Sequence, residues 1–425
     1  MTTRQIDPAH PATLVPPSRP ARQGAPLALI TTALVVGGFA IGTTEFVTMG
    51  LLPQIATGLG VPIPTAAHTI SAYALGVVVG APLVAVIGSR LPRRGLALAL
   101  MALFALGNIA SSVATSYEAL VPARFLAGLP HGAFFGVSAL IVAACAPPHQ
   151  KGRAVSRVML GIPIANVAGV PAATWLGQEL GWRAAYWLVA ALAVLTIALV
   201  ARWVPATPGN ASASGRQELA ALRNPQLWLT LAVASVGFGG IFAMYSYIAP
   251  TVTTVTGLGG WAIPWFLLAY GLGGVLGSLV GGRLADWSVL RGLVISLVGV
   301  GSTLALFTLT SQWPVPALLT LFLVSVLATA LVVVLQLRFM QVAGAAETLG
   351  AASNHAALNV ANALGAWLGG LVIAAGWGYP AASWVGVGLS LGGLAFLGTS
   401  LLLHRGTDRA PRVAPAEGLT RATCG

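Results

Sequence analysis

The sequence contains a series of apolar stretches that are each long enough to cross a lipid bilayer. A transmembrane helix needs about 20 mainly apolar residues. Twelve stretches meet this requirement, at 27–52, 65–89, 95–115, 119–145, 154–176, 184–204, 226–250, 261–284, 291–311, 315–337, 348–375 and 380–403. Only 7% of the 425 residues are charged, which is too few to cover the surface of a soluble domain. The sequence therefore predicts an all-α membrane protein with twelve transmembrane helices, numbered here as spans 1 to 12.

The first six spans and the last six spans carry related sequences. Three motifs recur at offsets of 195 to 197 residues, namely 72–80 with 269–277, 165–169 with 361–365, and 181–182 with 376–377. This recurrence predicts two pseudo-symmetric six-helix bundles, and two such halves with a pathway between them are typical of alternating-access transporters. The predicted parts are a disordered tail at 1–26, an N-terminal bundle at 27–204, a linker at 205–225, a C-terminal bundle at 226–404 and a disordered tail at 405–425.

The positions of the basic residues indicate the orientation in the membrane, because Lys and Arg concentrate in cytoplasmic segments. With both termini in the cytoplasm, every Lys and Arg except Arg124 and Arg183 lies in or at the edge of a cytoplasmic segment. We therefore expect a multi-pass protein with both termini, both tails and the linker in the cytoplasm. The basic residues form no patch interleaved with aromatic residues, so the net charge of +12 does not indicate nucleic-acid binding.

The sequence argues against catalysis and against a bound cofactor. It has no phosphate-binding loop for ATP, and the Gly-rich run 271–277 does not match a dinucleotide fingerprint. The motifs of zinc proteases and of serine hydrolases are also absent. Cys145 and Cys424 are too far apart in the sequence to indicate a disulfide framework or a metal site. Transport of a small molecule is the main prediction, with a membrane-embedded enzyme as the rival from another class.

Glu45 is the most informative single residue, because acidic side chains inside transmembrane segments are costly and normally face protein or a water-filled cavity. It lies between Thr44 and Thr48 in the otherwise apolar span 1. Desolvation favours the protonated form of a carboxyl group, which suits a site that binds and releases a proton. We therefore predict that Glu45 couples transport to protons or binds a cationic substrate. The alternative is a structural pair with a neighbouring helix.

Other polar residues inside the spans are further candidates. Arg124 shares a helical face with Gly128, and His131 extends this face. A permanent cation near Glu45 would stabilise its ionised state, whereas an Arg near the membrane surface can also extend its side chain to the lipid headgroups. His131 titrates near physiological pH in water, or forms a hydrogen bond between helices.

One face of span 11 carries His355, Asn359 and Asn362 at spacing i, i+4, i+7. Such a face lines a cavity or forms interhelical bonds. Asn362 is assigned to helix packing because Asn166 repeats it in span 5. Tyr245 and Tyr247 are candidates for lining an amphiphilic cavity, with ordinary packing as the alternative.

Small residues recur at intervals of four on the faces of spans 2 and 8. This spacing allows close helix contact, and the residues are Gly76, Gly80, Gly273 and Gly277.

Several stretches resemble the major facilitator superfamily, and within it the twelve-helix drug:proton antiporters of the arabinose-efflux-like and chloramphenicol-exporter branch. They are GTTEF at 42–46, RFLAGLPHG at 124–132, GIPIANVAGVP at 161–171 and GWR at 181–183. The superfamily loop after span 2 is represented by SRLPRR at 89–94, which has Ser in place of the usual Asp. Its repeat after span 8, GRLADW at 282–287, keeps the Asp but lacks the Arg that usually follows it.

The resemblance implies a monomeric transporter of the bacterial inner membrane. It would export a small molecule, a drug such as chloramphenicol or a sugar or metabolite, in exchange for protons. A proton-independent facilitator is the alternative within carriers. The residues and the resemblance together predict the following roles: proton coupling for Glu45, Arg124 and His131; a substrate cavity at Thr44, Thr48, Tyr245, Tyr247, His355 and Asn359; a cytoplasmic gate at Arg90, Arg93, Arg94, Arg283 and Asp286; and helix packing for Gly128, Asn166, Gly169 and Pro171.

Overall fold

The computed structural model describes residues 25–88, 91–147, 150–206, 223–343 and 347–408. Nearly all of the predicted tail at 1–26, most of the predicted linker at 205–225 and most of the predicted tail at 405–425 lie outside the described residues. Arg90, which was predicted to belong to the cytoplasmic gate, also lies outside them. The last helix continues to Asp408, so it overlaps the first residues of the predicted C-terminal tail.

Twelve helices of the described chain are long and apolar enough to cross a membrane, which confirms the predicted fold class. Their bounds are Leu27–Gly50, Ile63–Gly80, Arg93–Val113, Tyr117–Cys145, Arg153–Leu180, Trp182–Trp203, Pro225–Tyr245, Gly260–Trp287, Val289–Thr310, Pro314–Ala343, Ser353–Ala374 and Tyr379–Leu403. Helical structure extends beyond these membrane segments to Gly88 in span 2 and back to Glu347 in span 11.

Several spans are interrupted where the sequence analysis predicted continuous helices, among them spans 1, 4, 5 and 7. Span 4 is divided into Tyr117–Gly128 and His131–Cys145, with Pro130, which has no backbone N–H to donate, at the break. Span 1 ends at Gly50 and is followed by a separate short helix, Leu52–Leu59. Leu51 and Pro130 at these two breaks are buried, so the irregular backbone is surrounded by protein.

The two halves repeat the same close contact between helices. A Cβ atom at Gly76 or Gly80 would collide with the backbone of span 4, and one at Gly273 or Gly277 would collide with the backbone of span 10. The nearest atoms are the carbonyl oxygens of Phe125, Leu129, Phe322 and Val326, respectively. All four contacts are related by the same offset of 197 residues. The structure therefore shows the internal duplication that the motifs predicted.

The two halves are packed against each other along their length. The Ser71 hydroxyl of span 2 donates to the Ala363 carbonyl of span 11 at 3.2 Å. Gly271 of span 8 packs against the backbone of Asn166 in span 5. At the end of the bundle opposite the chain termini, the Gln178 side-chain amide donates to the Gly260 carbonyl at 2.9 Å. The centre of the molecule is therefore an interface between two six-helix bundles.

Substituting Gly80 by Ala tests the repeated helix contact. The added methyl group would meet the backbone of Leu129, and overpacking of this kind costs about 1–3 kcal/mol. Gly136→Ala is the matched control, because this helical glycine has nothing within 4 Å of its Cβ position and Ala favours the helix. We expect a lower thermal unfolding midpoint in detergent for Gly80→Ala alone, and equal midpoints for both variants would contradict the assignment.

Candidate functional site

Glu45 lies between the two halves of the bundle. Its side chain is 7% exposed and interacts electrostatically with Arg124 of span 4, Tyr73 of span 2 and Tyr270 of span 8. Tyr73 and Tyr270 occupy equivalent positions in the internal repeat. Glu45 is five residues from the end of span 1 at Gly50, which is nearer to the side opposite the chain termini than the predicted position in the middle of the span.

Arg124 is completely buried and is held by span 1. Its two terminal nitrogens donate to the hydroxyl and to the main-chain carbonyl of Thr44, both at 3.0 Å. The Thr44 hydroxyl in turn donates to the Asn108 side-chain oxygen of span 3 at 2.6 Å. The guanidinium lies over the rings of Tyr73 at 4.6 Å and Tyr186 at 5.0 Å. The alternative in which Arg124 extends to the lipid headgroups is therefore wrong.

Tyr73 also connects Arg124 to His131, because its ring lies against the guanidinium and its hydroxyl reaches the histidine. It lies 3.0 Å from the His131 Nδ1 atom, and His131 is 1% exposed. The His131 ring is 5.7 Å from that of Phe135, which stacks on His355 of span 11 at 6.1 Å and an interplanar angle of 5°. A continuous series of contacts therefore joins Arg124 in the N-terminal half to His355 in the C-terminal half.

An aromatic cluster of five side chains, Phe46, Phe238, Phe242, Tyr245 and Tyr270, lies beside Glu45. Phe46 stacks on Phe242 with ring centres 6.5 Å apart and contacts the edge of Tyr245 at 6.1 Å. The Tyr245 ring stacks on Tyr270 at 4.0 Å. Because Phe46 belongs to span 1 and the other rings to spans 7 and 8, the cluster crosses the interface between the halves.

Several of the remaining predicted cavity residues have hydrogen-bond partners within the bundle, whereas Asn359 and Asn362, the latter assigned to helix packing, keep polar atoms without a partner. The Thr48 hydroxyl is 2.9 Å from that of Tyr186, and the Tyr247 hydroxyl donates to the Ala366 carbonyl at 2.7 Å. Asn359 uses its amide nitrogen on the His355 carbonyl of its own helix at 3.0 Å. The Asn359 side-chain oxygen and both side-chain polar atoms of Asn362 have no hydrogen-bond partner.

Two of the described gate residues, Arg93 and Arg94, form hydrogen bonds within their own half. Arg93 donates to the Leu140 carbonyl at 3.3 Å, and Arg94 donates to the Ala201 carbonyl. Both acceptors belong to the same half as the arginines. Arg283 and Asp286 of the other half are exposed. The gating role of these residues stays a prediction.

The residues that were assigned to helix packing in span 5 lie in an irregular turn. Residues Ala165–Gly169 form a single π-helical turn, and Pro171 follows in the next helical segment. Gly169 packs against Thr43 and Phe39 of span 1. Gly128 of span 4 similarly contacts the Tyr73 carbonyl.

Sequence reasoning missed Asn108 and Tyr186, which complete the surroundings of Arg124 and Thr48. Asn108 was detectable as a fully buried polar residue within an apolar span, since such residues seek protein partners. Tyr186 gave no comparable signal, because an aromatic residue near the start of a span is equally common at the membrane surface. Phe46 and Phe242 were missed because apolar rings in apolar helices carry no distinguishing pattern.

The site is closed in this structure. Arg124, Thr44 and Thr48 have no exposed surface, and Glu45 has little. Two open grooves among the described residues lie elsewhere, one beside Trp287 and Arg291 and the other beside Thr31 and Arg157. The burial of the polar residues, and not an open cavity, is therefore the evidence for a functional centre.

Replacing Thr44 by Val tests the support of Arg124. The variant keeps the shape of the side chain but leaves the buried Asn108 oxygen and one Arg124 nitrogen without a partner, and each such loss costs about 1–3 kcal/mol. Thr43→Val is the matched control, because the Thr43 hydroxyl bonds only to the Phe39 carbonyl of its own helix. We expect a lower unfolding midpoint for Thr44→Val than for Thr43→Val. Indistinguishable midpoints would show that the bridge contributes nothing to stability.

Comparison with known proteins identifies relatives over most of the chain. The Inner membrane transport protein YdhP of Escherichia coli (strain K12) is 40% identical over 369 residues, which are 86% of this chain and 93% of the relative. The Putative transporter AraJ of the same organism is 34% identical and covers 92% of this chain and 98% of the relative. A chloramphenicol resistance protein of Streptomyces lividans is 37% identical and covers 80% and 87%, respectively.

Solved structures show the same fold at low sequence identity. A D-xylose-proton symporter superposes with a TM-score of 0.66 at 19% identity, covering 87% of this chain and 96% of that one. The nucleoside transporter NupG superposes with a TM-score of 0.69 at 13% identity, covering 88% and 99%. The model of the Major Facilitator Superfamily matches residues 34–354. The chain therefore belongs to the major facilitator superfamily and is a multi-pass membrane transporter.

Proposed function

We propose that this transporter exports a small molecule in exchange for protons and that Glu45 is the residue that binds the proton. The observation that carries the proposal is the burial of this carboxyl group between the two halves, where it acts electrostatically on Tyr73 of one half and Tyr270 of the other. A carboxylate in such surroundings is costly unless it is protonated or stabilised by a nearby cation. Binding and release of a proton at Glu45 therefore change the free energy of the contact between the two halves.

Arg124 is placed to make both protonation states of Glu45 accessible. It acts on Glu45 electrostatically, whereas its hydrogen bonds are made to Thr44. A guanidinium that is already held by other acceptors stabilises a neighbouring anion without depending on it for its own bonding. Thr44 therefore holds the two terminal guanidinium nitrogens in either protonation state of Glu45, whereas the Arg124 Nε atom has no hydrogen-bond partner.

Two further observations support export of an amphiphilic molecule. The aromatic cluster provides flat apolar surfaces beside Glu45, and aromatic side chains of this kind are typical of sites for molecules with a ring. Among the relatives, one is named as a chloramphenicol resistance protein and another, from Pasteurella multocida, as a probable sugar efflux transporter. We extend export to this chain on that basis, with the cytoplasm as the side from which the cargo is taken.

Glu45→Gln tests the coupling residue. Gln resembles the protonated carboxyl group in size and polarity, so we expect the variant to fold while proton-driven transport of chloramphenicol into proteoliposomes falls to background. Glu118→Gln, at an exposed position in span 4, is the control and should transport like the parent. Gradient-driven uptake that survives in Glu45→Gln would show that the proton is bound elsewhere.

The orientation is proposed from the arginines at the two ends of the bundle. Arg93, Arg94, Arg202 and Arg283 lie on the side of the chain termini, and Arg183 lies on the opposite side. By the preference of basic residues for the cytoplasm, the termini are cytoplasmic. A fluorescent protein fused after residue 425 should fluoresce in bacterial cells, and alkaline phosphatase fused there should be inactive. The reverse pattern would contradict this orientation.

A further inference from the structure

We propose that Asn359 and Asn362 of span 11 form a hydrogen-bonding site for an uncharged polar group of the cargo, such as a hydroxyl, a carbonyl or an amide. This inference rests on the proposed function and narrows it to one class of substrate. It also gives Asn362 a role that differs from the packing role predicted from the sequence.

Both asparagines are buried with polar side-chain atoms that have no hydrogen-bond partner. Asn359 is 3% exposed and Asn362 is 1% exposed. The Asn359 oxygen and both polar atoms of the Asn362 amide have no hydrogen-bond partner. A buried polar group without a partner costs about 1–3 kcal/mol, and native proteins contain few of them. Twelve buried side-chain atoms of the described residues have no partner, and three of them are concentrated in this one helical turn, which indicates a place where another molecule supplies the missing bonds.

The two asparagines lie on a face of span 11 that is directed into the bundle. The face of span 11 that carries them begins at His355, which stacks on Phe135 of the other half. It continues to Ala366, whose carbonyl accepts the Tyr247 hydroxyl. The asparagines lie between His355 and Ala366 and close to Ala363, whose carbonyl accepts the Ser71 hydroxyl of the other half, so their face is directed into the bundle near the interface between the halves. This is where an alternating-access transporter binds its cargo.

The internal repeat explains why the sequence pointed to packing for Asn362. Its repeat mate, Asn166, belongs to the π-helical turn Ala165–Gly169 and packs through its main chain against Gly271 of span 8. Asn362 lies instead in the uninterrupted helix Glu347–Ala374. The two residues thus share a place in the sequence repeat but differ in backbone conformation, and the packing role of Asn166 does not transfer to Asn362.

The chemistry of the amide defines the class of cargo. An amide offers donors and an acceptor without charge, so it pairs with neutral hydrogen-bonding groups. Span 11 also packs on the aromatic cluster, since Gly365 lies against Phe242. A molecule with a flat apolar body and hydroxyl or amide groups would therefore contact both features at once. We infer that the cargo is an uncharged amphiphile of this kind.

Asn362→Leu separates a binding role from a structural role. Replacing an unpaired amide by an apolar side chain of similar size does not reduce stability, whereas a cargo that relied on the amide loses its partner. In proteoliposomes with a pH gradient, we expect the KM for chloramphenicol, which is uncharged and carries an aromatic ring, an amide and hydroxyl groups, to rise about 5- to 100-fold. The unfolding midpoint should be unchanged or higher.

Asn354→Leu is the matched control. The Asn354 amide nitrogen donates to the Gln336 side chain at 2.8 Å, although its oxygen has no partner, and Asn354 is equally buried at 2% exposure. We expect this variant to have a lower unfolding midpoint and an unchanged KM. A KM for Asn362→Leu equal to that of the parent would overturn the inference. A midpoint that falls in Asn362→Leu as it does in Asn354→Leu would also overturn it, because the amide would then be bonded within the protein or to a structural water.

The lipophilic cation ethidium distinguishes failure of this inference from failure of the proposed function. If the parent moves ethidium but not chloramphenicol along a pH gradient, proton exchange stands and the inference of an uncharged cargo is wrong. If the parent moves neither probe in response to the gradient, the proposed function fails and this inference fails with it. Transport of chloramphenicol by the parent, with a raised KM in Asn362→Leu, supports both.

Discussion

The buried guanidinium of Arg124 is the interaction on which the N-terminal half depends. A charge inside an apolar bundle requires partners from the protein, because lipid provides none. Here Thr44 supplies two acceptors and the rings of Tyr73 and Tyr186 supply two aromatic faces. Spans 1, 2, 4 and 6 are thereby joined around a single charge. Glu45, the residue after Thr44, is positioned next to that charge by the same arrangement.

The two halves share their packing but not their polarity. The glycine contacts between spans 2 and 4 recur between spans 8 and 10, yet the repeat mate of Arg124 is the apolar, buried Leu321. The C-terminal half contributes aromatic rings and the unpaired amides of span 11 instead. The two halves thus share their helix packing, but the N-terminal half contains a charged centre and the C-terminal half contains a neutral one. Our proposals assign the proton to the first and the cargo to the second.

The structural features that depend on the length and composition of each segment could be predicted from the sequence. The number of spans, the duplication and the burial of Glu45 follow from apolar length, recurring motifs and the cost of a charge in lipid. Contacts between spans that are distant in the sequence were not predictable in this way. The bridge from Arg124 through Thr44 to Asn108 depends on how three helices are rotated. The break of span 4 at Pro130 was visible as a proline, but its consequence for the path of the helix was not.

Exchange of a proton for a cargo requires that the closed interface tolerate Glu45 in both of its protonation states. A carboxylate bonded directly to Arg124 would stay charged, because the ion pair favours loss of the proton. A carboxyl group buried without a nearby cation would stay protonated and neutral. The observed arrangement lies between these limits, since Arg124 is near Glu45 but is bonded to Thr44. Tyr73 contacts this centre and also forms a hydrogen bond with His131. The His131 ring contacts Phe135, which in turn stacks on His355, and His355 lies next to the asparagines of span 11. A change of charge at Glu45 therefore acts on a packed series of side chains that ends at the proposed cargo site.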